Sequence, residues 1–202
     1  MRDRPTAAPD VAEPVIGRAF ARPVWLIPTM LPDCFDDARN DFGACLMSAF
    51  TLRPYHTDDE DAAIALWQVT WQQAYPEIDF AARVPWWRER WRNELVGNAA
   101  IIVAEHEGAL VGYVTIDGQA YLDQLVVAPA HWGAGVADRL VDEAKRLSPD
   151  CIRLLVNHDN FRAIRFYARN GFVDAGEDVN PTSGRPVLKM QWKAETPRRR
   201  GE

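Results

Sequence analysis

This sequence predicts an α/β fold, a mixed sheet of the α+β kind flanked by helices, and three observations point to it. From about residue 50 to residue 193, short apolar runs alternate with amphipathic ones. Three of the short runs, "AAIIVAEH", "LVGYVTID" and "AYLDQLVV", follow one another with only tight-turn residues between them. Each helix-like run is opened by a capping residue or a glycine turn. The resulting order is β-α-α-β-β-β-α-β-α-β-β. At 202 residues the chain is long enough for one well-cored domain and short for two.

The elements follow in order. "FTLRPY" alternates as a strand, and Thr57 with Asp58 to Asp61 offers a cap and an acidic first turn to a helix through "AAIALWQVTWQQAY". A second helix is expected over about Phe80 to Val96. The three strands after it form a meander, turning at Glu107-Gly108 and at Asp117-Gly118. A helix runs from the glycines after Pro129 to about Leu147, "CIRLLV" is a strand, Asn160 to Arg169 is a helix, and "GFVDAGEDV" and "PVLKMQW" close the sheet.

Three segments are expected. Residues 1–48 carry repeated prolines and no sustained period, so they read as an irregular, disordered extension. The folded domain spans 49–193, and 194–202 is a charged tail. Met47 opens "MSAFTLRPYHTDDEDA", which reads as an alternative start.

Composition excludes several classes. Apolar residues at 48% against 26% charged describe a globular chain, and "AAIIVA", Ala99 to Ala104, is too short to cross a bilayer. The first residues lack the apolar stretch of a secretory signal. Cys34, Cys45 and Cys151 form no C-x-x-C, and His56, His106, His131 and His158 show no ligand spacing. A reducing cytoplasm and no metal are expected. A formal charge of -6, with "RRR" at Arg198 to Arg200 as the basic run, disfavours nucleic acid as a partner.

The chemistry begins at "LVVAPAHWGAGVADRL", Leu125 to Leu140. A strand stops at a proline, passes two glycines, Gly133 and Gly135, and enters a helix. The first helical N–H groups have no intrahelical partner, and glycine lets a ligand reach them, so the turn makes an anion cradle suited to a pyrophosphate. Two glycines there also serve simple packing. No G-K-[ST] follows, and Asp138 stands where a dinucleotide fingerprint needs its third glycine. Further on, "NFRAIRFYARNGF" sets Asn160, Ala163 and Tyr167 on one helical stripe, closed by Gly171 and Phe172. Taken singly, Asn160 is an N-cap and Tyr167 a half-buried aromatic.

Together these residues resemble the GNAT superfamily of N-acetyltransferases. The pattern V-x-P followed by [QR]-x-x-G-x-[GA] is met by Val127 to Pro129 and Trp132 to Ala137, and N-x-x-A-x-x-x-Y-x-x-x-G-F by Asn160, Ala163, Tyr167, Gly171 and Phe172. One position departs: Trp132 stands where the family usually has Gln or Arg. The resemblance implies a GNAT-like acyl-CoA N-acyltransferase fold and an acetyl-CoA-dependent N-acetyltransferase without a metal. It places the cofactor on the backbone of Leu125, Val126 and Val127, on Trp132, Gly133, Ala134, Gly135, Val136 and Ala137, and on Asn160 and Ala163. The strand ending at Val127 is to splay from the one that begins at Cys151.

The resemblance makes Tyr167 the general acid for the leaving thiolate, a phenol near ~10 facing a thiol near ~8.5. Asp123 lies an even number of residues from Leu125 and Val127, hence on their strand face, and is the candidate base, directly or through water; Tyr121 and Glu105 are weaker candidates. The aromatic segment "LWQVTWQQAYPEIDFAARVPWWRERW" packs on the sheet, and the resemblance brings Trp71, Tyr75 and Glu77 to the acceptor site. The acceptor implied is a small-molecule amine or a peptide amine, with a homodimer paired through sheet edges. Two alternatives stand beside the small-molecule acetyltransferase: a protein N-terminal or lysine acetyltransferase, and a non-catalytic acyl-CoA-binding module.

Overall fold

A computed structural model describes residues 25–26, 50–180 and 184–194. Its strands are β1 (Trp25–Leu26), β2 (Thr51–Pro54), β3 (Ala99–His106), β4 (Ala109–Asp117), β5 (Leu122–Val127), β6 (Cys151–Asn157), β7 (Val173–Val179) and β8 (Pro186–Lys193). Its α-helices are α1 (Glu60–Ala74), α2 (Val84–Arg90), α3 (Val136–Leu147) and α4 (Phe161–Arg169). The expected order holds from β2 onward. The additional strand β1 lies within the extension expected to be irregular, whose other residues, like 195–202 of the tail, fall outside the described set.

Two sheets carry these strands, one ordered β1-β5-β4-β3-β2 and one ordered β6-β8-β7. The meander β3-β4-β5 is antiparallel, as its turns required. Glu107 and Gly108 take positive φ between β3 and β4, the primed-turn geometry of a tight hairpin. Asp117 Oδ1 closes the next turn by accepting from the amides of Gln119 and Tyr121 at 2.8 and 3.0 Å.

Helices cover both faces of the first sheet, which is why its strands read as near-continuous apolar runs. Ile102 and Ala104 of β3 pack with Leu140 and Val141 of α3 and Tyr167 of α4, while Ile101 and Val103 face Trp67, Trp71, Trp87 and Trp91. The tryptophans are core, as the i, i+4 spacing indicated: Trp67 and Trp87 stack at 4.7 Å. Glu60 ties α1 to the second helical segment through Arg88 and Arg92.

Local details differ from expectation. A 3-10 turn over Thr57–Asp59 precedes α1, its start closed by the Asp59 carboxylate, which accepts from the His56 amide at 2.8 Å; Asp59, and not Thr57, stands at the N-cap of α1, without a side-chain cap bond. The second helix begins at Val84, later than Phe80, with Pro85 in the first turn where its missing N–H is harmless. It then widens into a π-helical turn over Trp91–Leu95.

Candidate functional site

The two sheets meet where β5 and β6 start, and there they part. Tyr121 and Arg153 form a single parallel bridge, and the Arg153 amide donates to Ala120 O at 2.8 Å. Beyond that point β5 pairs with β1 instead, Trp25 opposite Gln124 and Leu26 opposite Leu125. The splay therefore frees this edge of β5 from β6, with β1 covering it at Gln124 and Leu125.

At the end of β5, Pro129–His131 make a 3-10 turn, and Gly133 and Gly135 follow with φ of +81° and +79°. A Cβ at either would meet no atom within 4 Å. Close packing is thus not what glycine serves here; the left-handed backbone and the open space are. Gly135 caps α3, whose first-turn N–H groups open into that space.

A cavity of about 230 Å³ sits against the turn, lined by Val127, Trp132, Gly133, Gly135 and Ala137 from this side and by Arg162, Arg165 and Arg169 from α4. The three arginines recur at i, i+3 and i+7, one stripe of the helix. That stripe is legible in "FRAIRFYAR" but is no part of the pattern formed by Asn160, Ala163 and Tyr167. Trp132 donates its Nε1–H to Val127 O at 2.8 Å, and the Arg162 guanidinium stands 4.7 Å over its ring. Burial pulls Arg162 down from its ordinary pKa. Asn160 Oδ1 accepts from the Ala163 amide at 3.1 Å, so it does cap α4. Leu125, Val126, Val136 and Ala163 are buried, which leaves them backbone groups to offer a ligand.

Tyr167 is 0% exposed, between the rings of Phe166 and Phe172. Its hydroxyl has no hydrogen-bond partner among the described residues. Burial, reinforced by Tyr121, holds its pKa well above the usual phenol value. Leaving a buried hydroxyl unpaired costs roughly 1–3 kcal/mol, and phenylalanine would fill the same space without that cost. The hydroxyl is therefore unexplained by packing.

Asp123 is not where strand alternation placed it. The register slips between Thr115, opposite Gln124, and Ile116, opposite Leu122, so Asp123 occupies a β-bulge. Leu122, Leu125 and Val127 share the α3 side, whereas Asp123 meets Arg90 of α2, with Arg90 Nη2 3.1 and 3.0 Å from its two oxygens. Gln124 Nε2 adds a contact at 3.3 Å. A one-residue bulge inverts a face, and nothing in "YLDQLVV" announces it.

On the same side, Trp71 stacks on Tyr75 at 5.9 Å but is 2% exposed, so it is a core residue and presents no surface. Asn157 Nδ2 donates to Tyr75 Oη at 3.0 Å, joining α1 to β6 across the splay, and Arg185 lies 5.2 Å over the Tyr75 ring. Burial raises the Tyr75 pKa. Glu77 is exposed beside it. Neither Asn157 nor Arg185 was anticipated, since their elements are remote in sequence. His106 and His131 pack edge to face at 5.3 Å, and no group of three or more metal-ligating side chains exists among the described residues. A larger groove of about 540 Å³ between β2, β3 and the end of α3 contains neither Tyr167 nor the glycine turn, and its Arg53, Glu143 and Arg146 are ion-paired.

Residues 60–172, more than half of the chain, match the Acetyltransferase (GNAT) family. The chain belongs to that family. An uncharacterized N-acetyltransferase of Mycobacterium tuberculosis is 36% identical over 81 residues, 36% of this chain and 52% of the relative. The mycothiol acetyltransferase of Kineococcus radiotolerans is 30% identical over 153 residues, 69% of this chain and 48% of the relative. This GNAT chain thus spans about half the length of the curated relatives it matches. Among solved structures, the PaiA N-acetyltransferase of Thermoplasma acidophilum in complex with coenzyme A aligns with a TM-score of 0.57 at 19% identity, over 72% of this chain and 99% of the other. The ribosomal-protein-S18-alanine N-acetyltransferase of Escherichia coli aligns with a TM-score of 0.59 at 18% identity, over 76% and 99%. These two establish a shared GNAT fold. No described helix is long and apolar enough to cross a membrane.

Proposed function

We propose that the protein transfers the acetyl group of acetyl-CoA to a primary amine of a small molecule, with Tyr167 as general acid. The observation that carries this reading is the buried, unpartnered Tyr167 hydroxyl on the helix that faces the glycine turn. Acetyl-CoA supplies the activated thioester. The amides of Gly133, Gly135, Val136 and Ala137 bind its phosphates, Trp132 and the basic stripe of α4 border them, and the β5 edge at Leu125 to Val127 aligns the pantetheine arm. Ala134 keeps the turn between its glycines, and Asn160 and Ala163 form the first turn of the helix that carries Tyr167.

The amine nitrogen bonds to the acetyl carbon, the carbon–sulfur bond breaks, and Tyr167 gives its proton to the leaving sulfur. Its raised pKa keeps that proton in place across the physiological range. The proton lost by the amine goes to solvent, and solvent returns one to the Tyr167 phenolate to complete the cycle. Asp123 holds Arg90 and the bulge in place, which positions β5 without direct contact with the amine. Without a dedicated base, a weakly basic acceptor is favoured: holding a lysine amine neutral at pH 7 costs about 4–5 kcal/mol, an α-amine only about 1. Tyr75 and Glu77, backed by Trp71, border the acceptor. The resemblance to a mycothiol acetyltransferase supports a small-molecule amine.

Thiol release from acetyl-CoA, followed across a panel of small α-amines, amino sugars and lysine peptides, tests the reading. Turnover with small amines, and little with peptides, is the expected result; turnover confined to peptides, or none at all, rejects it.

A further inference from the structure

The glycine turn lacks the polar side chain that its pattern leads one to expect, and the structure puts a different cation at the same place. Trp132 is pinned on one side by its Nε1–H to Val127 O at 2.8 Å and covered on the other by the Arg162 guanidinium at 4.7 Å. Both line the cavity against Gly133 and Gly135. A guanidinium lying on an indole face is held in orientation by cation–π attraction while its N–H donors remain directed in its own plane. Arg165 and Arg169 share the cavity wall but are exposed, and Arg169 lies 3.7 Å from Asp138. Arg162 is the half-buried member of the stripe.

We infer that Trp132 and Arg162 act as one unit, the indole serving as the platform on which Arg162 is presented to the diphosphate of CoA. This rests on the acetyl-CoA reading above. The α4 cation takes over the contact that a loop side chain would make, and the Trp132 bond to Val127 links the phosphate cradle to the strand that aligns the pantetheine arm. Arg162 and Trp132 are thus cofactor-affinity residues and not proton-transfer groups. Lysine at 162 would retain the charge but lose the planar stack and the forked donors.

Isothermal titration with pantetheine, phosphopantetheine, dephospho-CoA and CoA isolates the phosphate contribution, with circular dichroism to confirm folding. In the wild type each added phosphate is expected to tighten binding. Arg162→Ala should remove roughly a tenfold to hundredfold gain between pantetheine and dephospho-CoA, the scale of one lost charge-assisted contact, and leave pantetheine itself unchanged. Arg162→Lys should recover part of it. Trp132→Ala should lose a similar amount, and the double variant no more than the larger single loss, because a unit fails once. Arg165→Ala, a matched loss of charge, should cost less than Arg162→Ala.

The inference is overturned if Arg162→Ala leaves the phosphate gain intact, if the two losses add, or if Arg165→Ala costs as much. A wild type that binds CoA no better than pantetheine overturns the acetyl-CoA reading itself, a separate result.

Discussion

Arg90 Nη2 lies 3.0 Å from Asp123 Oδ2, and the two side chains are 4% and 6% exposed. A charge pair this deep stays only because each member compensates the other, and removing one strands its partner. Asp123→Ala should therefore destabilise the fold by about 3–5 kcal/mol in urea unfolding, whereas Arg90→Met with Asp123→Leu should recover most of that loss. Thiol release by Asp123→Asn at saturating amine should fall less than tenfold, as expected of a positioning residue; a collapse in rate with a retained fold would restore the carboxylate as base.

Alkaline pH should weaken the fold through Tyr113 and Tyr167. Both are fully buried and held well above the ordinary phenol pKa by burial. With folded values raised, their contribution is intact below about pH 10, where the unfolded chain still keeps its phenols protonated. It is lost above that, because the unfolded tyrosines ionise and the folded ones do not, at up to about 1.4 kcal/mol per pH unit for each. Urea midpoints between pH 9 and 11 should fall, and Tyr167→Phe should flatten the slope.

Two glycines should respond to alanine in different ways. At Gly112 a Cβ would stand 3.0 Å from Val126 O and 3.1 Å from both Leu140 and Val136, so overpacking of about 1–3 kcal/mol is expected, with cofactor affinity retained. At Gly135 nothing is in the way, but φ of +79° costs an L residue about 1–2 kcal/mol, and the methyl stands in the cradle. Melting temperature and CoA titration should separate them: Gly135→Ala loses CoA affinity, Gly112→Ala loses stability alone.

The chain beginning at Met47 lacks β1, which pairs with the β5 edge at Gln124 and Leu125. That edge is the one assigned to the pantetheine arm, so the shortened chain should bind CoA no more weakly than the full one. Weaker binding in titration would mean that β1 supports the site.

Much of this was readable from the sequence because period and punctuation coincide. "AAIIVAEH" is β3 residue for residue, and Gly133, Gly135 and Gly171 all take positive φ where turns were expected. The α4 stripe placed Tyr167, although not its complete burial. What escaped has one cause: it depends on register or on contacts between distant elements. The bulge at Asp123 inverted a face without altering composition. Arg90 with Asp123, Asn157 with Tyr75 and Arg162 with Trp132 join residues that only the fold brings together, and a local pattern holds no record of them.

The most direct test compares wild type and Tyr167→Phe for thiol release at saturating amine, CoA affinity and melting temperature. A general acid kept at the expense of stability predicts a rate lower by roughly 10²- to 10⁴-fold, CoA affinity within about twofold, and a melting temperature unchanged or raised. An unchanged rate, or a rate that falls only in step with the melting temperature, would contradict it.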